Sequence, residues 1–177
     1  FENLSTVPVP GEEEAGPDDR RRIMWTADLM AADFPPLEWA VDGLIPAKGM
    51  TVLAGASNTK KSFTALSISA AVSMGVDFWG RKTLRKNVIY YALEEPLDYV
   101  KDRWELQGNS HDCPVVFIDD FTEDERKDLV NAIENHIKTF DAGLVIIDTL
   151  SAAFELLDQN SSSDMTQIIR PLVRRVA

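Results

Sequence analysis

Met50-Thr51-Val52-Leu53-Ala54-Gly55-Ala56-Ser57-Asn58-Thr59-Lys60-Lys61-Ser62 runs from an unbroken apolar segment through a turn into a helical pattern. The first five residues have the character of a short strand buried on both faces, as strands of parallel sheets are. The helical pattern extends from Ser62 to Met74 and stops at Gly75, a residue suited to the left-handed turn that ends helices. Between strand and helix, Gly55 to Ser62 nearly fits the pattern G-x-x-x-x-G-K-S/T. A loop of that kind turns its backbone N–H groups, with those of the helix N-terminus, onto a chain of phosphates. Gly55, Ala56, Ser57, Asn58, Thr59, Lys60, Lys61 and Ser62 are the candidate nucleotide-binding residues. Lys61 supplies a point charge for the β- and γ-phosphates, and the Ser62 hydroxyl is a ligand for Mg²⁺.

Lys60 stands where the pattern has its second glycine. If the backbone there takes a positive φ, a residue with a Cβ costs about 1–2 kcal/mol. Its side chain must also turn away from the nucleotide. A plain strand–turn–helix with a fortuitous Lys-Ser is the other reading of these residues.

Three further apolar runs follow, at Val88–Leu93, Val115–Ile118 and Leu144–Ile147. Helical segments separate them. One opens at Pro96, carries Leu97, Val100 and Trp104, and ends at Gly108. Another opens with Thr122-Glu123-Asp124-Glu125, a capping box, and buries Val130, Ile133, Ile137 and Phe140. Strands alternating with helices predict an α/β domain on a mostly parallel sheet. The last apolar run ends in Asp148, a carboxylate at the sheet edge where the loop opens and a second candidate ligand for Mg²⁺. The run before it ends Leu93-Glu94-Glu95-Pro96 at the same edge. Glu94, directly after the apolar residues, is the candidate base for the water that attacks the γ-phosphate. Glu95 reads as a first-turn acid favoured by the helix dipole.

Composition bounds the partners. With 18 Lys and Arg against 29 Asp and Glu, the net charge of −11 argues against a surface that grips nucleic acid or anionic lipid all over. It leaves room for a local basic lining, for which Arg81-Lys82 and Arg85-Lys86 are the best electrostatic candidates. Cys113 is the only cysteine, which rules out an internal disulfide and suits a reducing cytoplasm. No apolar run has the roughly 20 residues that cross a bilayer. Residues 1–22, rich in Pro, Gly and blocks of like charge, read as an unstructured linker, with Arg20-Arg21-Arg22 either solvated or touching phosphates. A short amphipathic helix carrying Trp25, Leu29 and Met30 precedes Phe34-Pro35-Pro36. A final helix, kinked at Pro171, is expected from Asp164 to Ala177. Trp39 and Pro46 read as core or base-pocket residues, and His111, His136 and Cys113 as structural.

Taken together, these stretches resemble the RecA-type ATPase core, and most closely its RepA-like branch of hexameric replicative helicases. The residues that carry the likeness are Phe34-Pro35-Pro36-Leu37-Glu38-Trp39, Gly43-Leu44-Ile45-Pro46 and Gly55 to Ser62. Tyr91 to Glu95, Ile147-Asp148-Thr149-Leu150-Ser151 and Asn160 to Met165 complete it. The resemblance implies a three-layer P-loop NTPase core over residues 23–177, incomplete at its C-terminal end. It also implies a homo-oligomeric ring, a hexamer in that branch, that hydrolyses Mg-ATP and moves on single-stranded DNA. Lys61 and Glu94 would be catalytic, Ser62 and Asp148 metal-binding. The family's γ-phosphate-sensing His and arginine finger would fall beyond the chain, and Arg170, Arg174 and Arg175 read as a solvated helix face. The segment Ser151–Ser163 matches a DNA-contacting loop in position but carries no Lys or Arg. A nucleotide-binding scaffold that does not hydrolyse ATP, and a recombinase or clock-type relative, are the alternatives.

Overall fold

The computed structural model describes residues 24–155. The chain divides into two units, residues 1–36 and 37–177. In the first, α1 (Thr26–Ala31) is the short helix expected around Leu29 and Met30, and it buries none of its residues. The linker 1–22, the segment from residue 156 to Ser163, and the helix Asp164–Ala177 with Arg170, Arg174 and Arg175 lie outside the described residues.

The second unit begins with β1 (Trp39–Val41) and β2 (Ile45–Pro46), an antiparallel pair that sets Trp39 opposite Pro46. Then come α2 (Lys61–Met74), β3 (Asn87–Ala92), α3 (Leu97–Leu106), β4 (Val115–Ile118), α4 (Glu123–Lys127), α5 (Leu129–Phe140), β5 (Ala142–Asp148) and α6 (Leu150–Glu155). The strands β4-β3-β5 form one parallel sheet in that order, with Tyr91 opposite both Ile118 and Ile147 and Ala92 opposite Asp148. Parallel pairing requires crossover connections, which α3 and α5 supply. β3 is central and therefore buried on both faces: residues 88–92 are all buried. Its even-numbered side chains, Val88, Tyr90 and Ala92, pack towards α2 and α3; its odd-numbered ones, Ile89 and Tyr91, pack against Leu129, Ala132 and Ile133 of α5. That alternation is the period of two of an extended chain.

The apolar run Met50–Ala54 departs from expectation: it forms no strand. Residues 50–56 are exposed, Met50, Val52 and Leu53 by 44%, 63% and 52%. An apolar segment becomes a strand only where a neighbour completes its hydrogen-bond ladder. Among the described residues the sheet ends at β5, and nothing pairs with this run. The helix after the capping box departs in a second way. Asp128 takes φ −145° and ψ 77°, breaking the helix into α4 and α5, and its side chain caps the second piece by accepting from the Asn131 N–H at 3.1 Å. The break moves the buried stripe to Leu129, Ala132 and Ile133, while Val130 is only half-buried. A third departure follows β5. The stretch from Ser151, expected as a loop, begins as α6, with Thr149 Oγ1 accepting from the Ala152 N–H at 3.3 Å. No helix among the described residues is long and apolar enough to cross a membrane.

Candidate functional site

The turn ahead of α2 is built on two left-handed residues, Asn58 at φ 62° and Lys60 at φ 66°. Asparagine tolerates that conformation through local hydrogen bonding; lysine does not, and pays about 1–2 kcal/mol for its Cβ. So the backbone at Lys60 has the geometry that a glycine normally supplies. The side chain is drawn aside: Lys60 Nζ sits 4.9 Å from the centroid of the Phe63 ring, a cation–π contact. At Gly55 a different constraint acts. A Cβ there would meet Thr59 Oγ1 at 2.9 Å, and that hydroxyl is itself committed to the Ala56 carbonyl at 2.8 Å. Lys61 curls over the same turn, its ammonium donating to the carbonyls of Gly55 at 3.0 Å and Ala56 at 2.8 Å.

These residues border a cavity of about 190 Å³. Ser57 to Phe63 form one wall, Leu66, Ala92 and Val100 contribute apolar surface, and Glu94, Glu95, Arg103, Asp148 and Thr149 supply polar groups. The cavity lies at the C-terminal edge of the sheet because β3 and β5 are parallel and in register, so both deliver their last residues to one side. Ser57, Asn58, Thr59, Lys60, Lys61, Ser62, Glu94 and Asp148 are thus brought together from among the expected site residues. Gly55 and Ala56 do not line the cavity but hold the Lys61 ammonium.

Asp148 is anchored. Its Oδ2 accepts from the Tyr90 hydroxyl at 2.5 Å. Burial, then that carboxylate, raises the Tyr90 pKa well above the ordinary 10, so the phenol stays a donor. The peptide bond after Asp148 is cis. Ser62 and Asp148 offer hard oxygen donors on one cavity, which fits Mg²⁺, an ion usually held by few protein oxygens together with substrate phosphates and water. The two glutamates separate. Glu94 is exposed with no hydrogen bond or ion pair among the described residues, whereas Glu95 is paired with Arg103.

Tyr90, Phe63, Arg103 and Thr149 are cavity residues that sequence reasoning missed. Only Tyr90 left a signal, since it shares a strand face with Ala92, the residue two positions before Glu94. Trp39 and Pro46 are not among the cavity-lining residues. The basic stretch is at the other edge of the sheet. Arg85 and Lys86 line a second cavity of about 330 Å³ with Asn87, Asp141, Ala142 and Gly143, at the starts of β3 and β5, and Arg81 Nη1 donates to the Asp42 carbonyl at 2.9 Å.

Comparison with known proteins bears on this geometry. The family described as an AAA domain matches residues 14–176. No curated protein and no solved structure matches the chain. A match over nearly the whole sequence, spanning the cavity just described, settles the family: the chain belongs to the AAA domain family of P-loop ATPase-type domains.

Proposed function

We propose that this domain binds and hydrolyses Mg-ATP, with the triphosphate lying along residues 55–62. One observation carries the reading: the phosphate-type loop, the free carboxylate of Glu94 and the anchored carboxylate of Asp148 share a single cavity. Ser62 and Asp148 would hold Mg²⁺, whose charge offsets that on the phosphates. Lys61, now satisfied by two loop carbonyls, has the reach to exchange them for phosphate oxygens. Glu94 accepts the proton of the attacking water; a positioned base of this kind contributes typically ~10²–10⁴-fold. Apolar Leu66, Ala92 and Val100 limit water on the inner side, which strengthens the electrostatics of the remaining groups. The likeness to RepA-type helicases supports work as a ring-forming motor on single-stranded DNA.

Phosphate release from Mg-ATP by the wild-type chain, lost in Lys61→Ala, is the expected result; equal release from both would overturn the assignment. A second reading, a nucleotide-binding module without hydrolysis, is favoured by the strained Lys60 and the loop-bound Lys61 ammonium. Tight binding without release would select it. Either reading requires nucleotide to stabilise the fold. At 100 times its dissociation constant a ligand adds about 2.7 kcal/mol, visible as a raised melting temperature.

A further inference from the structure

Glu94 and Glu95 lie in the bend that follows β3 and line the same cavity, yet their surroundings treat them differently. Arg103 is paired with Glu95: Nη2 donates to Oε1 at 2.7 Å, and Nη1 lies against Oε2, which has no hydrogen bond of its own among the described residues. This guanidinium comes from the last turn of α3, with its side chain only 25% exposed. It is backed by the Phe63 ring, whose centroid is 5.5 Å from Cζ. One turn further, Gln107 Nε2 donates to the Phe63 carbonyl at 2.7 Å, so α3 is fastened to the first turn of α2 through both ring and main chain. A planar guanidinium bonded to a carboxylate and packed on an aromatic face is held in one geometry, which a lysine would not reproduce.

We propose that Arg103 is a positioning residue that decides which glutamate acts: it occupies Glu95 and leaves Glu94 as the one uncompensated glutamate facing the phosphates. The proposal rests on the nucleotide reading of the cavity. The other charged groups that line it are Lys60 and Lys61 from the loop and Asp148 from β5, the last already bonded to Tyr90. Without Arg103 the cavity would be lined by three carboxylates against two lysines, one of them resting on Phe63. Without the Glu95 charge the triphosphate would face a free guanidinium instead. The two losses therefore have opposite signs.

The test is titration of the full chain with a fluorescent ATP analogue and Mg²⁺, beside KM and kcat for ATP. Arg103→Ala is expected to weaken binding about tenfold, and Glu95→Gln to hold or strengthen it. The double variant should return to within about twofold of wild type, and Arg103→Lys should fall between. A structural role would instead make both single variants weaker, with no recovery in the double; that result, or an unaltered Arg103→Ala, overturns the proposal. Should Arg103→Ala fail to fold, Arg103→Lys and Glu95→Gln carry the same opposition of sign. A wild-type chain that takes up no nucleotide and is indifferent to Lys61→Ala overturns the nucleotide reading itself. Binding that is lost in Lys61→Ala but unmoved in Arg103→Ala overturns the Arg103 role alone.

Discussion

Tyr90 and Tyr91 are neighbours on β3, both essentially inaccessible, and they send their hydroxyls to opposite faces of the sheet. Tyr90 donates to Asp148 in the cavity beside the loop. Tyr91 meets His136 Nδ1 at 2.9 Å, while His136 Nε2 lies 3.0 Å from Glu125, the carboxylate of the capping box on α4. In the neutral ring an Nε2–H facing that carboxylate leaves Nδ1 as the acceptor and the tyrosine as the donor. Glu125 also accepts from the Thr122 N–H at 2.8 Å, which with the Thr122 hydroxyl holds its pKa below the usual carboxylate range. One face thus orients the carboxylate proposed to hold the metal, and the other ties β3 to α5 and α4. The strand's alternation lets adjacent residues divide chemistry from stability.

The largest expected effect lies on the cavity face. Asp148→Asn should lower turnover by on the order of 10²-fold or more and leave the melting temperature nearly unchanged. Phosphate release beside thermal unfolding checks both halves; a large stability loss would break the division of labour between the faces. Ile133, 1% exposed on the α5 face, tests the converse. Ile133→Ala should cost about 2–5 kcal/mol in chemical denaturation, with nucleotide affinity intact. Tyr91→Phe removes one donor from the His136 chain and should cost about 1–3 kcal/mol, again without altering KM.

Alkaline pH sharpens the comparison further. Burial is the main cause of both raised phenol pKa values; Asp148 adds to it at Tyr90 and Glu125 at Tyr91. Below pH 10 the unfolded chain keeps these protons as the native chain does, and the contribution to stability is complete. Above it the unfolded chain releases protons that the native chain retains, so stability falls as pH rises. Denaturation between about pH 9 and 11 should show a shallower fall in Tyr90→Phe and in Tyr91→Phe, the difference growing to nearly one proton each only at the upper end. An unchanged slope in either variant would mean that its hydroxyl is not held as described.

Much of this arrangement is legible in the order of the residues. The runs at Val88, Val115 and Leu144 form β3, β4 and β5 because apolar continuity is what burial between helical layers demands. Thr122 and Glu125 announce their capping box through spacing alone. The run at Met50 has the same look but forms no strand, since a ladder needs a partner and local composition does not report one. Nor does periodicity reveal that Asp128 ends one helix and caps the next, as both uses draw on the same short carboxylate. That Lys61, Ser62 and Asp148 meet on one cavity is readable because a strand–helix turn and the end of a parallel strand open at the same sheet edge. The grip of Arg103 on Glu95 is not, because it depends on how α3 sits against Phe63.

Lys60→Gly has the smallest expected effect and touches neither face of β3. Removing the Cβ from a residue at φ 66° relieves about 1–2 kcal/mol. Glycine's greater freedom in the unfolded chain takes back roughly 0.5–1 kcal/mol, and losing the contact with Phe63 about as much again. The net change in stability should therefore lie within about 1 kcal/mol of zero, measured by thermal unfolding. Nucleotide affinity is the more telling readout, because the ammonium rests on Phe63 and not among the loop N–H groups. If it stays there when ATP binds, affinity shifts by less than about twofold. A tenfold loss would show that Lys60 leaves the ring to meet the phosphates, and the loop would then bring two cations to them where the glycine pattern brings one.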